Sequence, residues 1–384
     1  MAQPPMQLGV EAIERLYRES RFLDAYALFR DLEPPESWSD TSARLIAGRT
    51  LENLGASRRA YRLHLATWRR DRTNPAALYY HALGFGDRHG PVEGLRLLDE
   101  CRPDTSTKPP ASRHDAHLRM LRARWLATLR DFRTAHAWLD SVEDSFADDP
   151  WGHVEKACVL EREDRYLDAL ASAEHALVLR PGYRPGTGMA AHLLILLNRD
   201  AEAERILRER MAATQCASLA RQLAMLLVEN EAHHEALTVL DLVSKRWPLA
   251  EAPAREWLDA RRADCHHLLG NTHEAVSHAR KVSGLYYQHF VRQLESAPEA
   301  PRRRLAVSFV RQHHVTCVPA TIAAVSSFWG CPINQDEMAR TITYDGTPDH
   351  EERHWLEARG WLVREFRVTW ETAVALIARG VPFT

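Results

Sequence analysis

Residues 164–181 read DRYLDALASAEHALVLRP: an aromatic at Tyr166, small residues at Ala169, Ala173 and Ala176, and a proline at Pro181. Spacings of three and four put the alanines on one face of a helix. Small side chains there let a second, antiparallel helix approach closely, the aromatic fills the gap beside the turn, and the proline stops the helix.

The same arrangement recurs along the chain. RFLDAYALF supplies Phe22, Ala25 and Phe29, and GASRRAYRLHL supplies Gly55 and Ala60. Gly94 with Leu98, Phe132 with Ala135 and Leu139, Ala203 with Leu207, Ala236 with Leu240, and Ala275 with Ala279 follow. The small anchor falls at 25, 60, 94, 135, 169, 203, 236 and 275, in steps of 35, 34, 41, 34, 34, 33 and 39. This period resembles the tetratricopeptide repeat, a helix–turn–helix unit of about 34 residues. The fold expected is mainly α: a solenoid of about eight repeats over residues 1–297. The two long steps read as insertions at RPDTSTKPPAS (102–112) and WPLAEAPARE (247–256), rich in proline and polar residues.

Such a stack curls into a superhelix whose concave face receives a protein or peptide partner. Trp151 and Cys158 are expected on the first helix of the best repeat. No repeated ring of Lys, Asn and Arg marks a clamp for a C-terminal carboxylate. The alternative is an array that only holds the next domain in place.

Composition excludes several classes. Fifty Lys+Arg against 52 Asp+Glu leave a net charge of −2, which rules out a strongly basic nucleic-acid binder. Neither a signal peptide nor an 18-residue apolar run occurs, so a cytoplasmic, bacterial-type protein without a membrane span is expected. The six cysteines (101, 158, 216, 265, 317 and 331) include no CxxC, so neither a zinc site nor a disulfide framework is read, and no cofactor is called for. Adjacent histidines at 233–234 and 266–267 diverge by about 100° on a helix and cannot share an ion; both pairs are expected half-exposed.

The pattern stops after residue 297. Residues 298–304, with Pro298, Pro301 and Arg302 to Arg304, read as a solvated linker. LAVSFV (305–310) and WLVREFRV (361–368) read as strands. VPATIAAVSSFWG reads as a helix with Ala320, Ala323, Ala324 and Phe328 on one face and Gly330 at its end. Three further helices are expected: one capped by Asn334, one closing at Gly360, and one over WETAVALIARG.

A thiol at a helix N-terminus has its thiolate stabilised by the helix dipole and by free backbone N–H groups. Those groups, with a glutamine amide, can hold the oxyanion of an acyl-transfer transition state. The order QHHVTCVPATIAAVSSFWG…DEMA…YDGT…WLEARGW…ET…ALIARGVPF resembles the C39-like cysteine peptidase family, which has a papain-like α+β fold, over residues 305–384. The resemblance implies Cys317 as nucleophile and Gln312 as oxyanion-hole side chain in peptide-bond hydrolysis through a thioester. The family includes domains that cut leader peptides after a Gly-Gly pair.

The chain departs from the family in three ways. Thr316-Cys317-Val318 stands where the family has Asp-Cys-Gly, and Gln312 lies five residues before Cys317, about one fewer than usual. The family's catalytic His and its Asp or Asn follow the segment matching GVPF, and no residue up to Thr384 matches them. His313, His314, His350 and His354 have no such role in the family, and Cys331 reads as ordinary packing. The expectation is a partial peptidase domain, cut at 384, that presents a nucleophile without its base and is inactive alone. The alternative is a non-enzymatic adaptor using a degenerate peptidase-like domain for contact.

Overall fold

The computed structural model describes residues 5–101, 109–297, 303–344 and 346–384. The chain divides into two compact units, residues 1–296 and 297–384. Most of the expected linker, and much of the insertion expected at 102–112, lie outside the described residues.

The first unit is a run of antiparallel helix pairs. It begins with α1 (Pro5–Arg18) and α2 (Phe22–Ala27), α3 (Thr41–Asn53) and α4 (Ser57–Arg70), and α5 (Pro75–His89) and α6 (Pro91–Cys101). Next come α7 (Arg113–Thr128) and α8 (Phe132–Asp140), trailed by the single turn α9 (Glu143–Phe146), then α10 (Pro150–Arg162) and α11 (Tyr166–Leu179). The pairs α12 (Arg184–Leu196) with α13 (Asp200–Ala212), α14 (Ala217–Glu229) with α15 (His233–Arg246), and α16 (Ala252–Leu268) with α17 (Thr272–Ala279) complete it, before a last helix α18 (Leu285–Ser296).

The anchors explain the pairing. Ala25, Ala60, Ala135, Ala169, Ala203, Ala236 and Ala275 are all fully buried, as is Gly94. The glycine in the third pair has its own cause: a Cβ at Gly94 would lie 2.7 Å from Trp125 Cη2, so the indole of α7 occupies the space that alanine takes elsewhere. Each pair turns on one residue of positive φ between its helices. Ser20, Gly55, Arg130, Asp164, Asn198, Glu231 and Gly270 hold this place, with φ from 57° to 93°. The next N–H then returns to a carbonyl five residues back, as in Arg165 N to Leu160 O (3.0 Å) and Ala232 N to Leu227 O (2.8 Å), which satisfies a helix-end acceptor. In the third pair Gly90 has φ 90° and ψ 167°, and Pro91 has no N–H to return.

The 247–256 insertion is corrected by the structure. Only 247–251 connect helices; α16 starts at Ala252 with a proline in its first turn and runs for 17 residues, four more than α10 or α14. A longer helix, not a loop, accounts for most of the 39-residue step.

Successive turns of the coil touch. Gln215 N donates to Ser20 O (3.0 Å), and Gln215 Oε1 accepts from Leu23 N (2.9 Å), 192 residues away in sequence. Leu249 N donates to Leu54 O (3.1 Å) and Glu251 N to Gly55 O (3.2 Å). The unit thus closes on itself after between five and six repeats of about 34 residues, and Phe22 and Leu54 join the same buried core as Leu223 and Leu240.

The second unit contains α19 (Cys317–Phe328), α20 (Gln335–Ile342), α21 (Asp349–Glu357) and α22 (Trp370–Ala378). Ile322, Met338, Trp355 and Leu356 form its buried centre. Asn334 caps α20 by accepting from Asp336 N (2.8 Å) and Glu337 N (3.2 Å). Gly330, Gly360 and Gly380 end helices with positive φ.

The two expected strands are not seen. Among the described residues no β-ladder forms, so the α+β part of the expected fold is absent and 305–310 and 361–368 are irregular backbone. Strand preference reports fitness for a pleated, half-buried surface and needs a neighbouring strand to be realised. Here Phe309 (65% exposed) and Leu362 (76% exposed) face solvent, and neither segment has a ladder partner.

Candidate active site

Cys317 is the first residue of α19 and is exposed. Thr316 precedes it without capping the helix by its side chain. Its hydroxyl is turned back instead, accepting from His313 N (2.8 Å) and donating to His313 O (3.2 Å). Pro319 has no N–H, so the N–H groups of Cys317 and Val318 are the donors at this helix start. Among the described residues neither is hydrogen-bonded. Two uncapped donors beside a thiol are chemically suited to a developing oxyanion.

The loop before the cysteine is held under strain. Val315 has φ 53°, a conformation that is a genuine outlier for a β-branched residue and costs about 1–3 kcal/mol. Among the described residues, five of the six non-glycine positions with positive φ are the helix-pair turns described above; Val315 alone is not. Gln335, the first residue of α20, supports the same loop, its Nε2 donating to Arg311 O (3.0 Å). Neither residue was singled out by sequence reasoning. No local signal marks Val315, because valine disfavours this backbone, and Gln335 acts across 24 residues.

Gln312 is exposed, and with Cys317 it lines one open trough of about 800 Å³, walled by Leu305, Val307, Phe309 and Phe383. Arg303 and Arg304, read as linker, also line it. The histidines of the second unit are placed otherwise. His313 Nδ1 is 3.3 Å from Asp336 Oδ1, and His350 Nε2 is 3.5 Å from Glu351 Oε1. Among the described residues, none donates to or accepts from the Cys317 side chain.

Two expectations about single residues are corrected. Cys331 is exposed rather than packed, because it follows the helix-ending Gly330 and leaves the core. His233 is buried, 8% exposed, because it opens α15 on the face turned to the core, whereas His234 points outward. Trp151 lies on the first helix of its pair as expected, its Nε1 donating to Tyr79 Oη (2.9 Å). Cys158, on the same helix, has its thiol pushed up to about 12 by burial and then by the Glu155 carboxylate.

Fold and site together define a tetratricopeptide-type helical array followed by a region with a cysteine at a helix start. Residues 304–384 match the Peptidase_C39 like family. The structural neighbours extend over most of the chain. They include yeast Tom70 (14% identity, 78% of this chain and 66% of that one, TM-score 0.49) and the APC/C hetero-tetramer Cut9-Hcn1 (12%, 74% and 55%, 0.48). A tetratricopeptide repeat protein from Parabacteroides merdae is a third (11%, 64% and 98%, 0.37). The chain thus spans about half the length of the Cut9-Hcn1 chain it matches. No curated protein matches it. Among the described residues no helix is long and apolar enough to cross a membrane.

Proposed function

We propose that the repeat array holds a protein or peptide partner and presents it to Cys317, the nucleophile of a C39-like peptidase region acting on peptide bonds through a thioester. The observation that carries this reading is the position of Cys317: first in α19, beside two unbonded N–H groups, on a trough shared with Gln312. In the reaction the thiolate attacks the scissile carbonyl carbon and its oxygen gathers negative charge. The N–H of Cys317 and the Gln312 amide would receive that charge. A base, in practice an imidazole, must take the thiol proton and then, as imidazolium, give it to the leaving amine as the C–N bond breaks. No histidine among the described residues is hydrogen-bonded to Cys317, so the chain by itself is expected to turn over little or no substrate. A papain-like arrangement would also require 305–310 and 361–368 to gain strand partners, which would cover their exposed apolar side chains.

The missing histidine contact is equally what an adaptor would show, with the C39-like region used for contact alone. Labelling with a peptidyl vinyl sulfone, read by mass spectrometry, separates the two, because the exposed Cys331 serves as an internal reference. The enzyme reading expects slow labelling of Cys317 that exceeds labelling of Cys331. Equal labelling favours the adaptor, and rapid, complete labelling of Cys317 would show that a base is at hand.

A further inference from the structure

The coil of the first unit encloses a cavity of about 480 Å³, within the size range of small-ligand sites. It is lined by side chains from several repeats, among them Tyr17 of α1, Arg49 of α3, Tyr80 of α5, Arg113 of α7 and Arg184 of α12. The Arg49 guanidinium lies over two aromatic rings, 4.3 Å from the centre of Tyr17 and 5.0 Å from that of Tyr80. Arg184 lies over Phe22 at 5.5 Å.

The charges of this wall are unevenly matched. Four carboxylates of the described residues line the cavity: Asp149 receives Arg113 and, at 2.6 Å, His117, Glu14 receives Arg18 (2.6 Å), and burial pushes the carboxyls of Glu52 and Asp87 up, against their charged forms. Among the described residues no carboxylate pairs with Arg49 or Arg184. Arg49 also donates to the Tyr17 hydroxyl, but a guanidinium has five N–H donors, and a ring face takes up charge without accepting a planar fork of them. Both cations act on one atom: burial raises the Tyr17 phenol, yet Arg49 and Arg184 hold it below its ordinary value. Tyr17 Oη accepts from Arg49 and from Asn53 Nδ2 (3.4 Å), which leaves its own proton to donate. Burial, then Arg49, brings His64 down to about 3; burial, then His117 and Arg49, brings His114 down to about 4. Both are neutral at pH 7, so the positive charge belongs to the arginines.

We propose that this cavity binds an oxyanion, the carboxylate of a peptide end or a phosphate, through Arg49 and Arg184, with Tyr17 and Tyr80 as further donors. The site lies wholly within the first unit and is independent of Cys317; only its peptide form rests on the reading that the array holds a partner. The arginines come from different repeats at unequal positions, which is why the repeat pattern did not display them.

The test titrates the full chain with three probes by calorimetry: a degenerate tetrapeptide pool with free C-terminal carboxylates, the same pool amidated, and inorganic phosphate. The expected result is that the acid pool or phosphate binds, that each competes with the other, and that the tighter of the two identifies the source of the anion. Arg49→Met and Arg184→Met should each weaken that binding at least tenfold, with helical content checked by circular dichroism. Should Arg49→Met misfold, Arg184→Met decides. No binding of either anion, or binding unchanged in a folded variant, overturns the site. Equal binding of acid and amidated pools without phosphate binding overturns the oxyanion but leaves the peptide-holding reading standing; silence from all three removes both.

Discussion

Replacing Gly55 by alanine tests whether the turns of the coil touch in solution. Gly55 has φ 93°, and a Cβ there would stand 2.8 Å from Ala250 Cα and 3.0 Å from Ala250 N. Holding an L-residue in the left-handed region costs about 1–2 kcal/mol, of which roughly 0.4–1 kcal/mol is returned by a less flexible unfolded chain. The clash is with backbone, so no rotamer relieves it, and the two turns must separate. Separation breaks Leu249 N to Leu54 O and Glu251 N to Gly55 O, each worth about 0.5–1.5 kcal/mol. The total is a loss of roughly 2–4 kcal/mol. Urea unfolding followed by far-ultraviolet circular dichroism measures it. Adding Ala250→Gly should not rescue the variant, because the obstruction is the Cα and N of residue 250. A Gly55→Ala protein within about 0.5 kcal/mol of the parent, the scatter expected of an ordinary surface change, would refute the closed coil.

Two further outcomes follow from the same geometry. Asp149 is buried and, against a burial effect that raises it, His117 and Arg113 hold its carboxyl well below the usual range. A depressed carboxylate contributes stability above its unfolded value of 3.8 and loses it as pH falls below that value. Thermal unfolding should therefore show the parent losing stability below about pH 4, with a flatter profile in Asp149→Asn; identical profiles would contradict the assignment. Val315→Gly should stabilise the second unit by about 1 kcal/mol by releasing the positive φ, and should lower the ratio of Cys317 to Cys331 labelling; an unchanged ratio would mean that the strained loop does not position the thiol.

Much of the first unit was legible because its determinants are local and repeated. Ala169 and Ala203 are small for the same reason, close approach of paired helices, and a repeated cause leaves a period in the sequence. The turns were less legible. Glycine or asparagine stands at Gly55, Asn198 and Gly270, but Ser20, Arg130, Asp164 and Glu231 adopt the same conformation because their helix pairs impose it. In the second unit the helix starts and stops at Asn334, Gly330 and Gly360 could be read directly. The strands could not, because 305–310 and 361–368 carry strand-like residues while ladder formation depends on a neighbour.

By itself, then, the sequence determined the helix pairs, their anchors, and a cysteine at the head of a helix, since each follows from residues within one or two turns of one another. Only the tertiary structure decided that Gln215 meets Ser20, that Arg49 and Arg184 face one cavity, and that Val315 is strained before Cys317. These relations join residues far apart in the chain or override a local preference. They are set by how the coil closes and how the loop is tied, and neither has a period or a motif.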